Sequence, residues 1–461
     1  MTGSPPRSLA IRFRDLERWS VNSFSTIDWH WPAGLIRPLC DALSRKYIEV
    51  EKETIKPQSL KLATLHFNGE MEPRQQRGNK PDVKGKLWWA DPGDVIYSKI
   101  DVRNGAIGIV PDELGRICVT SAFPVYAVDS TSFDAQYIKL LFRTNAFRRK
   151  INSMISGTSG RNRVQPTDLE SVKVPLPPLT VQKSIVSAWE QAKSEIADIQ
   201  GHISALEEQI EIDFLAALGL RKPRQVELPK VFSVNWSSFG RWSIEYIKRT
   251  SSTTSAERCK YPLYFLGDLC DGQSGSTPSK RNKAFWNGGI PWVSPKDMKN
   301  DIINDTVDHI TDEAIAAGNA PLVPPNSVLV VVVRSGILQH TFPIAVNTAE
   351  VSINQDMRAF IPKADVPVIG NFIAVFLKCS QHKLLAQVKW STTVQSINRE
   401  SIQDIEIPLP PLKIQKQLVE KVTAQRKVVS ELKSKAEERS IKAKQDVEIM
   451  ILGTKSIQET N

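Results

Sequence analysis

The chain of 461 residues has no cysteine or histidine pattern at metal-ligand spacing. Its five cysteines, Cys40, Cys118, Cys259, Cys270 and Cys379, form no CxxC pair, and its six histidines are scattered. That argues against a zinc module, and the odd cysteine count argues against a disulfide framework. The expected setting is a reducing cytoplasm. No long hydrophobic run is present. The apolar stretch Val328 to Val333 is far too short to cross a membrane and reads as a buried strand. The N-terminus carries no apolar signal region. Catalytic signatures are missing as well. There is no GxxxxGK phosphate loop, no HExxH, and no Asn/Asp-Pro-Pro-aromatic motif of a methyltransferase. Gly272-Gln273-Ser274-Gly275-Ser276 lacks the spacing of a nucleophile elbow, and Pro81-Asp82-Val83-Lys84 lacks the acid–lysine separation of a nuclease. The expectation is a chain with no catalytic residues, no metal and no cofactor.

Acidic residues are the minority charge. Sixty Lys and Arg against fifty Asp and Glu give a net charge of +10 and an isoelectric point near 9.2. That balance favours a polyanionic partner. An apolar content of 41% and a charged content of 24% describe a globular chain able to fill its cores. Its length suits two to four domains.

One phrase occurs twice. Val174-Pro175-Leu176-Pro177-Pro178-Leu179 runs into Val181-Gln182-Lys183; 233 residues later, Ile407-Pro408-Leu409-Pro410-Pro411-Leu412 runs into Ile414-Gln415-Lys416. The same offset relates Thr158 to Ser391, Val164 to Ile397, Leu169 to Ile402 and Val172 to Ile405. Arg18-Trp19 answers Arg241-Trp242 at the start, and Leu218-Gly219 answers Leu452-Gly453 at the end. Upstream the match thins to Gly93-Asp94-Val95-Ile96 against Asn326-Ser327-Val328-Leu329, and Arg103-Asn104-Gly105 against Arg334-Ser335-Gly336. The chain is a tandem of two halves, each a variable body followed by a shared tail.

The tails read as long helices. Ile185, Trp189, Ala192, Ile196, Ile199, Ile203, Leu206 and Ile210 are spaced alternately by four and three, an a/d seam flanked by charge. Leu418, Val422, Gln425, Val429, Leu432, Ala436, Arg439 and Ala443 keep that register, with Gln425 and Arg439 as its weak points. Each helix of roughly 35–40 residues would span about 55–60 Å. The simplest partner for one is the other, antiparallel, as a coiled-coil spacer. The prolines before each helix end a strand.

The bodies read as strand-rich. Candidate strands are Asp94 to Ile100, Ala106 to Val110, Ile117 to Thr120, Val125 to Val128, Val328 to Val333 and Ile344 to Asn347, with one late helix in each body, Ala135 to Ile151 and Val368 to Gln387. The fold class is α+β: two strand-rich domains joined by two long antiparallel helices. Boundaries fall at 1–179 for the first body, 180–220 for its helix, 221–240 for a linker, 241–412 for the second body, 413–453 for its helix and 454–461 for a tail.

Polar, basic turns are the candidates for contact with nucleic acid. In the first body these are Arg74, Gln75 and Arg77, then Arg161, Arg163 and Gln165 just before the Pro-rich phrase. In the second they are Lys280, Arg281 and Lys283, then Gln395, Asn398 and Arg399 where the first body has its Arg161 loop. Arg103 and Arg334, in matching turns, complete the set. Arginine and amide side chains read guanine and adenine edges, while lysines and hydroxyls grip phosphate.

Leu266-Gly267-Asp268-Leu269, Gly275-Ser276-Thr277-Pro278-Ser279, Phe285-Trp286-Asn287-Gly288-Gly289-Ile290-Pro291-Trp292-Val293 and Asn354-Gln355-Asp356 together resemble a target-recognition domain of type I restriction-modification specificity subunits. The paired Arg-Trp starts, Pro-rich phrases and long helices extend the resemblance over nearly the whole chain. The first body departs from it, lacking the Thr-Pro-Ser turn and the Gly-Gly-Ile-Pro-Trp phrase. The resemblance implies a non-catalytic, DNA-binding subunit in which each body reads one half of a split site on double-stranded DNA. It implies helices that set the spacer and dock methyltransferase subunits, two of them, with restriction or translocase subunits reached through the complex and no membrane partner. The competing reading is a two-headed protein scaffold with a helical spacer; a fused methyltransferase or nuclease is disfavoured by the missing motifs.

Overall fold

The computed structural model describes residues 29–51, 61–74, 85–153, 163–222, 259–318, 320–333, 341–388 and 396–454. The chain divides into two units. The first comprises residues 1–199 with 435–461, and the second residues 200–434. Both cuts fall inside the long helices, Leu179–Ala217 and Leu412–Leu452. Each unit therefore holds one body, the start of that body's own helix and the end of the other helix. The Arg18-Trp19 and Arg241-Trp242 starts lie outside the described residues.

The heptad positions explain the helices. Every seam residue expected in both tails is buried or half-buried, and the flanking charges are mostly exposed. In the second unit the helices run antiparallel, with Lys433 bonded to Glu207 at 2.8 Å and Lys421 to Asp213 at 2.9 Å. In the first unit Arg439 reaches Glu195 at 2.6 Å, and Val447 and Ile451 share a core with Ile185. Solvent screens surface pairs of this kind, so the apolar seam carries the pairing. The two weak points behave differently. Arg439 leaves the seam for Glu195, whereas Gln425 keeps a buried Oε1 that no described residue partners.

The two bodies share one plan. The first has a four-stranded antiparallel sheet in the order Leu43–Lys46, Val125–Val128, Val95–Tyr97, Ile107–Ile109. The second repeats it as Cys270–Ser274, Met357–Pro362, Val328–Val331, Ile344–Asn347, then adds Ile302–Ile303 in parallel. The turn before the third strand of each sheet is left-handed, at Gly93 (φ 86°) and at Asn326 (φ 64°); glycine and asparagine adopt that conformation most readily. Two smaller pairs complete the first body, Ala63–Leu65 with Met71–Pro73 and Leu87–Ala90 with Ile117–Thr120. The second body instead has a mixed sheet in the order His309–Ile310, Trp286–Val293, Val351–Ile353, Leu322–Val323.

Several expected elements differ. The single helix Ala135 to Ile151 is two, Ala135–Arg143 and Asn145–Ser153. Thr144 breaks it in an extended conformation, donating its hydroxyl to Leu141 O at 2.8 Å while accepting from Phe147 N at 3.1 Å. Val368 to Gln387 likewise splits at Ser380 into Gly370–Cys379 and Gln381–Ala386. The strands expected over 94–100, 106–110 and 328–333 shorten to Val95–Tyr97, Ile107–Ile109 and Val328–Val331, because their ends turn into loops.

The Pro-rich phrase joins body to helix in the same way twice. Lys173–Pro175 pairs with Ile36–Pro38, and Glu406–Pro408 pairs with Leu263–Phe265. Gln182, 0% exposed, donates to Pro177 O at 2.7 Å and Ser132 O at 3.2 Å and accepts from Asp134 N at 2.9 Å. Gln415, also 0% exposed, donates to Pro410 O and Pro367 O, both at 2.8 Å, and accepts from Ile369 N at 3.1 Å. At the far ends, His30 N bonds Leu452 O at 2.8 Å in the first unit and Lys260 N bonds Leu218 O at 3.0 Å in the second.

Truncating such a glutamine strands buried backbone groups that water cannot reach. Gln182→Ala and Gln415→Ala should each lower unfolding free energy by about 2–4 kcal/mol. Urea unfolding of the single variants checks this. Midpoints equal to wild type would show that the joint does not depend on these amides.

Candidate nucleic-acid interface

In the first body, the strand Val95–Tyr97 runs out into a turn. Ser98 N bonds Ala106 O at 2.9 Å, and a short 3-10 helix, Val102–Asn104, presents Arg103 and Asn104 to solvent. The segment before the Pro-rich phrase lies against this turn, with Val164 N bonded to Lys99 O at 2.9 Å. Val164 is 2% exposed and its carbonyl accepts from Tyr97 Oη at 3.2 Å. With Val164 turned into the core, Arg163 and Gln165 on either side point outward and are exposed. Gln165 also opens the helix Pro166–Glu170, its backbone N–H bonded to Asp168 Oδ2 at 3.0 Å. Proline in the first turn and an acidic residue at its third position suit a helix start.

The second body repeats the arrangement at the same offset. Ile397, 5% exposed, bonds through its N–H to Val332 O at 3.0 Å, and Ser396 pairs with Val333. Asn398 is exposed at the N-cap of the helix Arg399–Gln403, with its side chain left out of the cap. Arg103, Arg163 and Gln165 thus lie together on one rim of the first sheet, beyond the end of its third strand, and Asn398 sits at the matching rim of the second. Arg399 is the first residue of its helix. Gln75, Arg77, Arg161, Arg334 and Gln395 lie outside the described residues.

Arg74 is not part of this rim. It is exposed at the open end of the hairpin formed by Ala63–Leu65 and Met71–Pro73, where its N–H bonds Leu62 O at 2.8 Å. Lys280, Arg281 and Lys283 are exposed on the loop between the strands Cys270–Ser274 and Trp286–Val293.

Pairing separates these cations from others nearby. Arg45 is locked to Glu170, which holds its guanidinium pKa above the ordinary value. Lys46 lies 2.6 Å from Asp91 and 2.7 Å from Asp94, and Arg116 lies 2.8 Å from Asp91. The Lys46 hydrogen bond holds the Asp91 carboxyl below its usual range. By contrast, Arg103, Arg163, Lys280, Arg281 and Lys283 make no ion pair with a described residue. Such charges keep their field for a partner.

Sequence reasoning missed Arg143. It lies on the helix Ala135–Arg143 and reads as an ordinary surface cation. Its guanidinium donates to Phe67 O at 3.1 Å, to Gly105 O at 2.9 Å and to Ile107 O. It thereby ties the hairpin turn at 66–70 to the turn carrying Arg103. Burial pushes its pKa down to about 10. The available signal was Gly69 and Gly105, both left-handed (φ 80° and 101°), where a Cβ would collide with the Arg143 guanidinium or with Phe67 O.

No group of three or more His, Cys, Asp or Glu among the described residues is placed to hold a metal ion. No helix among them is long and apolar enough to cross a membrane.

Residues 260–442 match the model of the type I restriction modification DNA specificity domain. The chain is 36% identical over 156 residues to the specificity subunit of the Escherichia coli type I restriction enzyme EcoR124I/EcoR124II, covering 34% of this chain and 38% of that one. It is 26% identical over 152 residues to the type I restriction enzyme MjaIX specificity subunit of Methanocaldococcus jannaschii, covering 32% and 33%. The matches thus span little more than a third of these relatives' length. A chain solved in a study of complex assembly and conformational transition of the type I R-M system superposes with a TM-score of 0.55 at 17% identity, covering 90% of this chain and 95% of that one. That likeness concerns the fold.

Lysine cannot reproduce the forked contacts of Arg143. Arg143→Lys should cost about 1–3 kcal/mol of stability by leaving buried carbonyls unpaired. Thermal or urea unfolding reads this, and a midpoint equal to wild type would show that the staple contributes nothing.

Proposed function

We propose a function from one premise: the chain belongs to the type I restriction-modification DNA specificity family, through residues 260–442. It acts as the sequence-reading, non-catalytic subunit of a DNA modification and restriction complex. Each body reads one half of a bipartite site on double-stranded DNA. The long helices set the separation of the half-sites and dock two methyltransferase subunits, and restriction subunits join through the complex. Methyl donor and ATP chemistry belong to those partners.

The observation that supports the reading most is the repeated rim. In both bodies a buried aliphatic residue, Val164 or Ile397, bonds the chain just past the third sheet strand and leaves an exposed polar neighbour before the Pro-rich phrase, Arg163 and Gln165 in the first and Asn398 in the second. Duplicated surfaces presenting Arg, Gln and Asn suit the reading of base edges, and the unpaired lysines suit phosphate. A two-headed scaffold for proteins would share the architecture. Its binding to DNA would not depend on sequence.

Binding to a randomised duplex library tests the proposal. Arg163→Ala should either relax one position at a cost of about 1–3 kcal/mol, as a base contact, or weaken all sequences alike and lower the salt slope by about 1, as a phosphate contact. Binding unchanged after joint alanine replacement of Arg163 and Gln165 would remove this group from the interface. Wild-type binding without sequence preference would favour the scaffold.

The helices give a second test. Four residues inserted after Gly201 lengthen the first helix by about 6 Å, close to two base-pair steps of about 3.4 Å. Methylation of a DNA panel with graded spacers should shift toward spacers longer by one or two base pairs. An active variant that keeps the original preference would contradict the spacer role.

A further inference from the structure

In the second unit, Lys280, Arg281 and Lys283 occupy a polar loop of serine, threonine, asparagine and lysine between two strands, a place where chain is ordinarily mobile. This loop is fastened at successive points. Gly275 lies so close to the backbone at 353–354 that a Cβ would collide with Ile353 O and Asn354 O. Ser276 N bonds Ile353 O at 2.9 Å, and the Thr277 hydroxyl donates to Gln355 Oε1. Two tryptophans from the following strand hold the rest. Trp292 Nε1 donates to Ser276 O at 3.1 Å, and Trp286 Nε1 donates to Ser279 O at 3.2 Å. Their rings meet edge to face, with centroids 5.2 Å apart and planes at 83°. Beyond them Asn282 Oδ1 accepts from Ala284 N at 3.1 Å and closes the tip into the short turn Lys283–Phe285.

An indole has one polar atom, a donor. Spent on a backbone carbonyl, it fixes that carbonyl without competing for the nearby cations. Both tryptophans act this way, three residues apart along the loop, and each braces the other. The tip is therefore held as a shelf with three exposed positive charges. Lysine is a compact point charge suited to phosphate, and a preformed loop avoids the entropy cost of ordering on binding.

We propose that Trp286 and Trp292 are positioning residues that hold Lys280, Arg281 and Lys283 as a preformed grip on the phosphate backbone of duplex DNA. This rests on the DNA-binding reading above. A phosphate grip is blind to sequence, so its test needs no knowledge of the target.

The experiment titrates the full chain with a mixed-sequence duplex over a series of salt concentrations. Joint replacement of Lys280, Arg281 and Lys283 by alanine should lower the slope of log affinity against log salt by about 2–3, at about 0.9 for each phosphate no longer neutralised. Trp286→Phe keeps a ring and all three charges but removes the N–H. It should weaken binding about 3–10-fold, and Trp292→Phe should act in the same direction. The deciding readout is the combination. Trp286→Phe should have no further effect once the three cations are gone, because the indole acts through them. Equal losses in both backgrounds, or Trp286→Phe and Trp292→Phe binding like wild type, would overturn the positioning role. A triple variant with the wild-type slope would overturn the grip. Wild type that binds no duplex would instead overturn the DNA-binding reading itself. Should Trp286→Phe fail to fold, Thr277→Val cuts the loop's fastening to Gln355 and must weaken binding in a cation-dependent way.

Discussion

Everything else in each unit depends on a buried carboxamide. Gln182 and Gln415 stand in the first turn of the long helices, sealed from solvent. Each joins three pieces of backbone: the Pro-rich phrase, a loop of the body and, through its own main chain, the helix. Glutamine suits this place because its amide offers donors and an acceptor at one reach. A carboxylate would face two carbonyls, and an aliphatic side chain would leave all three groups unpaired in a dry environment. The prolines contribute by ending the strand, which leaves carbonyls pointing at the amide rather than committed to a ladder. In the first unit Tyr137 adds a second tie, its hydroxyl donating to Pro175 O at 2.9 Å. The direction in which each helix leaves its body is therefore fixed by buried hydrogen bonds rather than by a flexible linker.

Much of this architecture was legible because it is periodic or repeated. The four-and-three spacing from Ile185 to Ile210 identifies the helix and the face it buries. The strands Ile117–Thr120, Val125–Val128 and Ile344–Asn347 have the expected bounds, since polar turns punctuate them sharply. The common plan of the two bodies was largely hidden. The matching sheets keep their backbone pairing while their side chains differ, so Gly93 and Asn326 share a left-handed turn without sharing a residue type. The helix breaks at Thr144 and Ser380 were also missed. At Thr144 the hydroxyl bonds Leu141 O and ends the helix without disturbing the apolar pattern.

The candidate interface divides the same way. Exposed turns such as 163–165 and 280–283 announce themselves by composition. Their supports do not. Arg143, Trp286 and Trp292 each bond backbone carbonyls of another segment, and nothing about a carbonyl is written in sequence. The contrast between Arg45, spent on Glu170, and Arg163, left without an ion pair among the described residues, is likewise visible only in three dimensions. Two classes of cation follow. One class stabilises the bodies, and the other is held outward by buried neighbours on a rigid frame. On the reading proposed here, the second class meets DNA.

The central claim is that the two bodies read separate halves of one DNA site. The most direct measurement is a map of methylated positions in DNA from cells carrying the complete complex, before and after residues 241–406 are replaced by the corresponding body of a related subunit. The account predicts that one half of the bipartite methylation site changes while the other half stays as it was. A change in both halves, or in neither, would contradict it.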